Sequence, residues 1–292
     1  MKSQVQLTHL DKVFFPKAGY TKGDLVEYYQ SVAKVMLPYL KDRPHSLLRQ
    51  PDGLAGEAFF QKDVDHIPPA WVKTFKIHAE STDEDVHYLV CDSLDSLLYM
   101  VQLGCIEINP WNSRIEALSK PDWLVLDLDP EAITFAKVVE AALAVKAVCD
   151  ELKITGYPKT SGKTGLHIYM PLAAQYTYNQ VRRFAKILAG MVHERTPDFT
   201  SLERLPKKRQ GKVYIDYLQN SQGQTLAAAY SVRPTVVASV STPLHWDEVN
   251  KKLKPTDFTI KNIDKRLGRM GDLWKPVLGK GVDIKKILSK LE

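Results

Sequence analysis

The segment PDWLVLDLDP, from Pro121 to Pro130, restricts the possible folds more than any other part of the sequence. Its residues alternate as a β-strand requires, and side chains two positions apart in a strand point to the same face. Asp127 and Asp129 therefore project together, roughly 6.5–7 Å apart. The opposite face is apolar and consists of Leu124, Leu126 and Leu128. The segment is predicted to be a strand with one face in a core and two carboxylates on the other.

This acidic pair predicts a metal site. Two carboxylates on one face of a buried strand are unfavourable unless a cation lies between them, and hard oxygen ligands suit Mg²⁺ or Mn²⁺. The alternative is that both acids cap the helix that follows Pro130. A second strand, GKVYIDYLQN, places Asp216 in an apolar run. If the two strands are neighbours, three carboxylates converge, as two-metal phosphoryl or nucleotidyl transfer requires.

The segment KTSGKTGLHIYMPL, from Lys159 to Leu172, contains the Gly-Lys-Thr that ends a P-loop. The P-loop pattern needs a glycine five positions before the second one, but Gly156 lies six positions before Gly162. A P-loop also continues into a helix, whereas this segment continues into a strand pattern. We therefore favour a turn in which Ser161, Lys163 and backbone N–H groups hold phosphates, with His167 beside the metals. The alternative for His167 is an ordinary buried core residue.

The order of elements predicts one or two α/β units. A chain of 292 residues with 44% hydrophobic content can bury a sizeable core, as one domain of two lobes or as two small domains. Thr21 and Asp24 form the pattern of a helix N-terminal capping box, and strands alternate with helices from about Trp123 to a strand over Val213–Leu218. Further along the chain, LAAAYSVRP is expected to be a strand and loop, and a short helix is expected to begin at Trp246. The expected organisation is a single domain, 1–292, with an N-terminal lobe, 1–110, and a catalytic lobe, 111–292.

The overall charge suggests a polyanionic partner. The chain carries a formal net charge of +6, with lysines and arginines concentrated in Arg204–Lys212 and between Lys251 and Lys290, although charge runs are usually solvated faces. The cysteines, Cys91, Cys105 and Cys149, form no CxxC pair and predict buried thiols rather than disulfides or zinc. No apolar run of membrane length and no secretory signal is visible, which favours a cytoplasmic location without a membrane partner.

Taken in order and spacing, eight segments resemble the polymerase domain of bacterial ATP-dependent DNA ligase D, a member of the archaeo-eukaryotic primase superfamily. The segments are LTHLDKVFFPKAGYTKGDLVEYY, FFQKDV, GCIEINPW, DWLVLDLDP, SGKTGLHIYMPL, KVYIDYLQN, AAAYSVRP and VSTPLHWDEV. The resemblance implies an α+β fold, in which a primase-like catalytic core has an RRM-like antiparallel or mixed sheet beside a smaller N-terminal α/β lobe.

The resemblance also implies roles for individual residues. Those implied to bind two Mn²⁺ or Mg²⁺ ions and to be catalytic are Asp127, Asp129 and Asp216. Those implied to lie at the incoming nucleotide are Ser161, Lys163, His167, Arg233, Lys62 and Asn109. The pocket for a DNA 5′-phosphate is implied to contain Lys12 and Lys22. Phe59 and Phe60 are implied to stack on the template or the DNA, the alternative for this pair being ordinary core.

One position departs from the family pattern. Many relatives have Glu-Ile-His before Pro-Trp, whereas this chain has Glu107-Ile108-Asn109. Asparagine donates and accepts hydrogen bonds but carries no positive charge at neutral pH. Asn109 is therefore expected to replace only part of the role of that histidine, which leaves metal preference and catalytic rate open.

The function implied by the resemblance is DNA-directed nucleotidyl transfer in non-homologous end joining. The enzyme would add nucleotides, preferably ribonucleotides, to a 3′-OH at a gap or double-strand break that carries a 5′-phosphate. Its partners would be such DNA ends, NTP or dNTP, the end-binding protein Ku and a DNA ligase, in a nucleoid-associated setting. The alternatives are a primase that starts chains de novo, a DNA-end bridging module with a weak active site, and a DxD glycosyltransferase.

Overall fold

A computed structural model describes residues 3–64, 68–79 and 82–291 of the chain. In chain order, the strands and helices are β1 (Val13–Phe15), β2 (Tyr20–Thr21), α1 (Lys22–Leu40), β3 (Arg43–Arg49), β4 (Phe59–Gln61), β5 (Thr74–Ala79), β6 (Glu84–Cys91), α2 (Leu94–Gln102), β7 (Cys105–Pro110), β8 (Trp123–Glu131), α3 (Phe135–Glu151), β9 (Tyr157–Thr160), β10 (Leu166–Pro171), α4 (Tyr178–Arg195), β11 (Thr200–Ser201), β12 (Lys212–Asp216), α5 (Ile263–Met270) and α6 (Ile284–Leu291). Among the described residues, no helix is long and apolar enough to cross a membrane.

These elements form two compact units that alternate along the chain. The first unit comprises Met1–Glu116, Thr225–Ser241 and Phe258–Gly271. The second unit comprises Ala117–Gln224, Thr242–Asp257 and Asp272–Glu292. The functional division of the chain into lobes 1–110 and 111–292 stays a prediction.

The first unit is built on a five-stranded sheet. Strands follow the order β4-β3-β6-β5, and β7 pairs with β3. Helix α1 begins at the predicted capping box, where the Thr21 hydroxyl accepts a hydrogen bond from the Asp24 N–H and the Asp24 carboxylate accepts one from the Thr21 N–H. Its apolar stripe is buried, and the Tyr29 hydroxyl donates to the Ile106 carbonyl at 2.7 Å. Helix α1 is thereby tied to β7.

His45, in the middle of β3, makes the stability of the protein depend on pH. Its side chain is fully buried, and burial lowers its pKa from 6.5 to about 4, with repulsion from Arg43 adding to the effect. Above pH 6.5 the imidazole is neutral in both the folded and the unfolded chain. Between pH 6.5 and pH 4 the unfolded chain binds a proton that the folded chain does not, so stability is lost as the pH falls.

We expect His45 alone to lower the free energy of unfolding by up to about 3 kcal/mol across this range. Urea unfolding at about pH 7 and about pH 4.5, for the wild-type chain and for His45→Gln, measures the effect. The variant should lose less stability on acidification than the wild type. Equal losses in the two proteins would show that another group causes the pH dependence.

The second unit contains a mixed five-stranded sheet. Its strand order is β11-β12-β8-β10-β9, in which β11 and β12 are parallel and the other pairs antiparallel. The apolar face of β8 is fully buried as predicted, through Leu124, Leu126 and Leu128, and helices α3 and α4 pack against this sheet. The predicted α+β class, with an antiparallel or mixed sheet, is confirmed. The three cysteines are buried thiols, also as predicted.

The structure differs from the sequence prediction near strand ends and at the C-terminus. The strand predicted over Val213–Leu218 ends at Asp216, because the Asp216 carboxylate accepts a hydrogen bond from the Leu218 N–H and starts a 3₁₀ turn. The helix predicted from Trp246 is a single 3₁₀ turn, Trp246–Glu248. The strand predicted in LAAAYSVRP is reduced to isolated bridges such as Val232 with Val240. Helices α5 and α6 were not predicted.

The C-terminal segment, Asp272–Glu292, returns to the second unit. The Trp274 ring lies edge-on to the Tyr169 ring, with centroids 4.9 Å apart, and the Val282 N–H donates to the Pro171 carbonyl at 2.8 Å. Gly281 approaches the backbone so closely that a Cβ there would lie 2.5 Å from the Leu172 carbonyl oxygen. The segment is therefore an integral part of this unit.

Candidate active site

A row of four polar side chains crosses the sheet of the second unit. Asp216 on β12 is the direct partner of Asp127 on β8, Asp127 is the partner of His167 on β10, and His167 is the partner of Lys159 on β9. Residues directly opposite each other in antiparallel strands project to the same face. The two acidic strands are thus neighbours, as the three-carboxylate hypothesis required.

Asp127 is one of the two inner members of this row. Its side chain is 4% exposed, and its Oδ1 lies 3.3 Å from Nε2 of His167, which is itself 3% exposed. Asp129 lies two residues further along β8 on the same face and is only partly buried. The alternative that these acids cap the next helix is wrong, because both lie within β8 and α3 begins at Phe135 with Thr134 as its N-cap.

Asp216 is oriented by three local donors. Its Oδ1 accepts hydrogen bonds from the Tyr214 hydroxyl at 3.2 Å and the Leu218 N–H at 2.8 Å. Its Oδ2 accepts one from the Gln219 amide at 3.0 Å. Burial and the neighbouring Asp216 carboxylate raise the pKa of Tyr214 above its usual range, so the phenol stays protonated as a donor. These three hydrogen bonds orient the Asp216 carboxylate.

The donor set fits a hard divalent cation. Carboxylate oxygens are the ligands that Mg²⁺ and Mn²⁺ prefer. Across residues 3–64, 68–79 and 82–291, however, no three His, Cys, Asp or Glu side chains are grouped closely enough to hold a metal ion. The two-ion site therefore stays a prediction.

The Gly-Lys-Thr segment, for which a P-loop was rejected, forms the turn between β9 and β10. The Ser161 hydroxyl accepts hydrogen bonds from the Lys163 N–H at 3.2 Å and the Gly165 N–H at 2.9 Å, and the Ser161 N–H donates to the Gly165 carbonyl. Gly162 supplies a positive φ of 80° within the turn. The chain continues directly into β10, so the strand prediction is confirmed. Gly165 lies against β8, where a Cβ would be 2.4 Å from the Leu128 carbonyl oxygen.

Lys159 belongs to the row but was not predicted from the sequence. It is fully buried, and its ammonium lies 5.7 Å from the centroid of the Tyr169 ring. The alternating pattern of β10 pointed to His167, but only the pairing of β9 with β10 reveals that Lys159 stands opposite it. The sequence signal that could have identified Lys159 is a lysine within a strand, directly before a Ser-Gly turn.

Arg233 and Asn109 lie in the first unit. The Arg233 Nε donates to the Glu107 carboxylate at 2.8 Å, and their side chains are 12% and 6% exposed. Asn109, buried on β7, donates from Nδ2 to the Glu107 carbonyl at 3.3 Å. Glu107 was not predicted as a site residue, although it opens the Glu-Ile-Asn segment that drew attention to Asn109. The nucleotide-binding roles of Arg233 and Asn109 stay predictions.

The first unit brings the two predicted 5′-phosphate lysines together. The Lys22 N–H donates to the Lys12 carbonyl at 2.8 Å, and the Lys12 ammonium is paired with Asp52. Lys22 is buried, with its ammonium donating to the Thr8 and Gln102 carbonyls. Burial and the nearby Lys12 charge lower the Lys22 pKa. An anion bound here would relieve that repulsion.

Phe59 and Phe60 lie on β4, at an edge of the sheet. They are 42% and 62% exposed, so the alternative that they form ordinary core is wrong. The Arg49 guanidinium lies 5.2 Å from the centroid of the Phe59 ring and donates to Gln61. Lys62 follows the strand and is exposed. An exposed aromatic pair beside cations can stack on bases, and this role stays a prediction.

Comparison with known proteins relates this arrangement to one family. The family described as "LigD, primase-polymerase domain" matches residues 21–274. The chain is 34% identical over 270 residues to the bifunctional non-homologous end joining protein LigD of Bacillus subtilis (strain 168), covering 92% of this chain and 43% of that protein. It is 32% identical over 279 residues to the multifunctional non-homologous end joining protein LigD of Mycolicibacterium smegmatis, covering 94% and 36%.

A solved structure is similar over nearly the whole chain. The polymerase domain of Mycobacterium tuberculosis ligase D, in complex with DNA, superposes with a TM-score of 0.89 at 30% identity, covering 96% of this chain and 100% of that one. The predicted resemblance is confirmed. The chain spans less than half of the length of each of the two curated relatives described.

Proposed function

Because the chain belongs to the LigD primase-polymerase family, we propose that it adds nucleotides, under the direction of a template, to the 3′-OH at DNA gaps or double-strand breaks that carry a 5′-phosphate. The enzyme class, a primase-like nucleotidyltransferase, follows from the family. The observation that supports the reaction most strongly is the juxtaposition of Asp216, Asp127 and His167 on three adjacent strands, two residues from Asp129. A DNA-end bridging module has no need for such a row.

Each part of the row has a proposed task. Asp127, Asp129 and Asp216 would hold Mn²⁺ or Mg²⁺, which when bound would neutralise charge on the attacking 3′-oxygen and the leaving pyrophosphate. His167 lies beside the Asp127 carboxylate on the side of β10, with 3.3 Å between Nε2 and Oδ1. The Ser161 hydroxyl closes the 161–165 turn by accepting hydrogen bonds from the Lys163 and Gly165 N–H groups, and the Lys163 side chain would bind the triphosphate oxygens. The residues thereby orient the nucleotide before any chemistry takes place.

The substrates and partners are proposed from the family and the names of the relatives. Ribonucleotides are the preferred substrate, and both Mn²⁺ and Mg²⁺ are candidates for the ions. The relatives are named as non-homologous end joining proteins, which makes Ku and a DNA ligase the proposed partners, in the cytoplasm and at the nucleoid. The exposed Phe59 and Phe60 are proposed to contact the DNA near the template base.

The proposal is tested by primer extension on a gapped duplex. The reactions compare gaps with and without a 5′-phosphate, Mn²⁺ with Mg²⁺, and NTP with dNTP. We expect the 5′-phosphate to increase extension and ribonucleotides to be used preferentially. Absence of incorporation under every condition, with DNA binding retained, would instead support a bridging module, whereas product from an unprimed template would support a de novo primase.

Lys12 gives a specific prediction within this assay. Lys12→Ala is expected to remove most of the advantage of the 5′-phosphate, an effect of about 10- to 150-fold, because a charge-assisted contact contributes about 1.5–3 kcal/mol. Extension on the gap without a phosphate should change by less than about twofold. Lys17→Ala is the control, since it removes an exposed charge five residues away. An equal loss on both gaps would assign Lys12 a structural role only.

A further inference from the structure

The second unit contains a cavity at the opposite end of β9 and β10 from the 161–165 turn. Its volume is about 360 Å³, and Tyr157 at the start of β9 and Pro171 at the end of β10 contribute to its lining. The floor is largely apolar and includes Leu152, Ile154 and Ile287. The cavity is therefore separate from the row that contains Asp127.

The walls of this cavity are built from unusual backbone. Lys153 follows α3 with a φ of +58°, a left-handed conformation that costs a lysine about 1 kcal/mol and is normally given to glycine. On the other side, Gly281 lies so close to Leu172 that any larger residue would push the C-terminal segment away from the sheet. Both residues line the cavity, so its shape depends on specific backbone positions.

Four lysines surround the apolar floor, namely Lys153, Lys280, Lys286 and Lys290. All four are exposed, and none forms an ion pair with a carboxylate in the part of the chain that the structure describes. The carboxylate in the lining belongs to Asp283, whose Oδ1 accepts hydrogen bonds from the Tyr176 hydroxyl and the Lys286 N–H. Four ammonium groups against one carboxylate leave the lining with a net charge of +3.

We propose that this cavity binds one nucleotide unit, with its base or sugar on the apolar floor and its phosphate among the lysines. The volume lies at the lower end of the range for small-ligand sites, which fits one nucleotide and excludes a duplex. Lysines and an adjacent aromatic ring, here Tyr157, are the features that bind single-stranded nucleic acids. The choice of a nucleotide over other phosphorylated ligands rests on the proposed function. The unit can come from a single DNA strand or from a free nucleotide.

Binding of a single strand is measured with the intact protein in EDTA. The probe is a fluorescein-labelled oligothymidylate of about 15 nucleotides. Its fluorescence anisotropy gives the binding constant at salt concentrations from about 50 to about 200 mM. Lys286→Ala with Lys290→Ala is expected to weaken binding about fivefold at the lowest salt and to reduce the slope of log K against log salt by about 0.7 per lost phosphate contact. Lys251→Ala with Lys252→Ala removes the same charge from exposed positions of the same unit and should leave the slope unchanged.

Binding of a free nucleotide is measured by calorimetric titration with adenosine 5′-monophosphate, also in EDTA. Thr155→Trp is a second variant, which fills the cavity without changing its charge. If single-stranded DNA is the ligand, both cavity variants weaken binding of the oligonucleotide and leave binding of the monophosphate unchanged. If a free nucleotide is the ligand, both cavity variants abolish the heat of binding of adenosine 5′-monophosphate. Either result supports the proposal.

The proposal is overturned if the cavity variants match the wild type for both probes, or if the control pair weakens binding as much as the Lys286 and Lys290 pair. Gap extension separates this outcome from failure of the proposed polymerase activity. The cavity variants should extend a primer on a gapped duplex at the wild-type rate, because the cavity and the row of acidic residues lie at opposite ends of β9 and β10. Thermal unfolding checks that each variant remains folded.

Discussion

Replacement of Asp127 by asparagine is expected to lower the rate of primer extension by at least about 10³-fold. Asparagine has nearly the same shape but carries no charge, so it would not take part in the proposed cation site with Asp129 and Asp216. Asp127 is one of the two inner members of the row, with a strand partner on either side. In the proposed site, the change would therefore remove the carboxylate that shares an ion with those of Asp129 and Asp216.

The measurement is single-turnover extension of a labelled primer on a gapped duplex at saturating Mn²⁺. Asp198→Asn is the matched control, because Asp198 is an exposed aspartate of the same unit, and it should extend at the wild-type rate. Thermal unfolding in EDTA should show that Asp127→Asn remains folded. Extension by a folded Asp127→Asn protein within tenfold of the wild-type rate would contradict the proposed role of the carboxylates.

The acidic site was largely predictable because its signal is local. Alternation along β8 fixes the face that Asp127 and Asp129 share, whatever the rest of the chain does. The same alternation places Asp216 on the opposite face of β12 from Val213 and Ile215. The rejection of the P-loop was also local, since alternation after Gly165 does not suit a helix. The pattern could not tell whether β8 and β12 were neighbours, and the structure shows that they are.

The remaining features depend on contacts between distant segments. Lys159 became a member of the row only through the register of β9 against β10. The hydrogen bonds that orient Asp216 come partly from Gln219, in a 3₁₀ turn whose first residue, Leu218, had been predicted to end the strand. Phe59 and Phe60 read as core by hydrophobicity, and their exposure follows from the position of β4 at a sheet edge. Edge position is a property of the whole sheet and is not encoded within three residues.

The same non-local packing makes Gly165 a sensitive position. Its N–H and carbonyl are both used by Ser161, which fixes the residue at the start of β10. A Cβ at this site would lie 2.4 Å from the Leu128 carbonyl oxygen and 3.3 Å from the Asp129 Oδ1. The first distance is far below van der Waals contact and involves backbone, so side-chain rotation cannot relieve it. Alanine must therefore displace either the turn or the strand that carries the acidic pair.

Gly165→Ala is accordingly expected to lower the free energy of unfolding by about 1–3 kcal/mol and primer extension by about 10²-fold, the effect of moving reactive groups by about 1 Å. Gly190→Ala is the control, and its effect on the free energy of unfolding should have the opposite sign. Gly190 lies within α4 with nothing near its Cβ position, so alanine should raise the free energy of unfolding by about 0.5–1 kcal/mol and leave extension unchanged. Urea unfolding and single-turnover extension on both variants measure the two effects. Wild-type extension by Gly165→Ala would mean that the turn and the acidic pair do not need this close approach, and the assignment of the 161–165 turn to the nucleotide would then lose its structural basis.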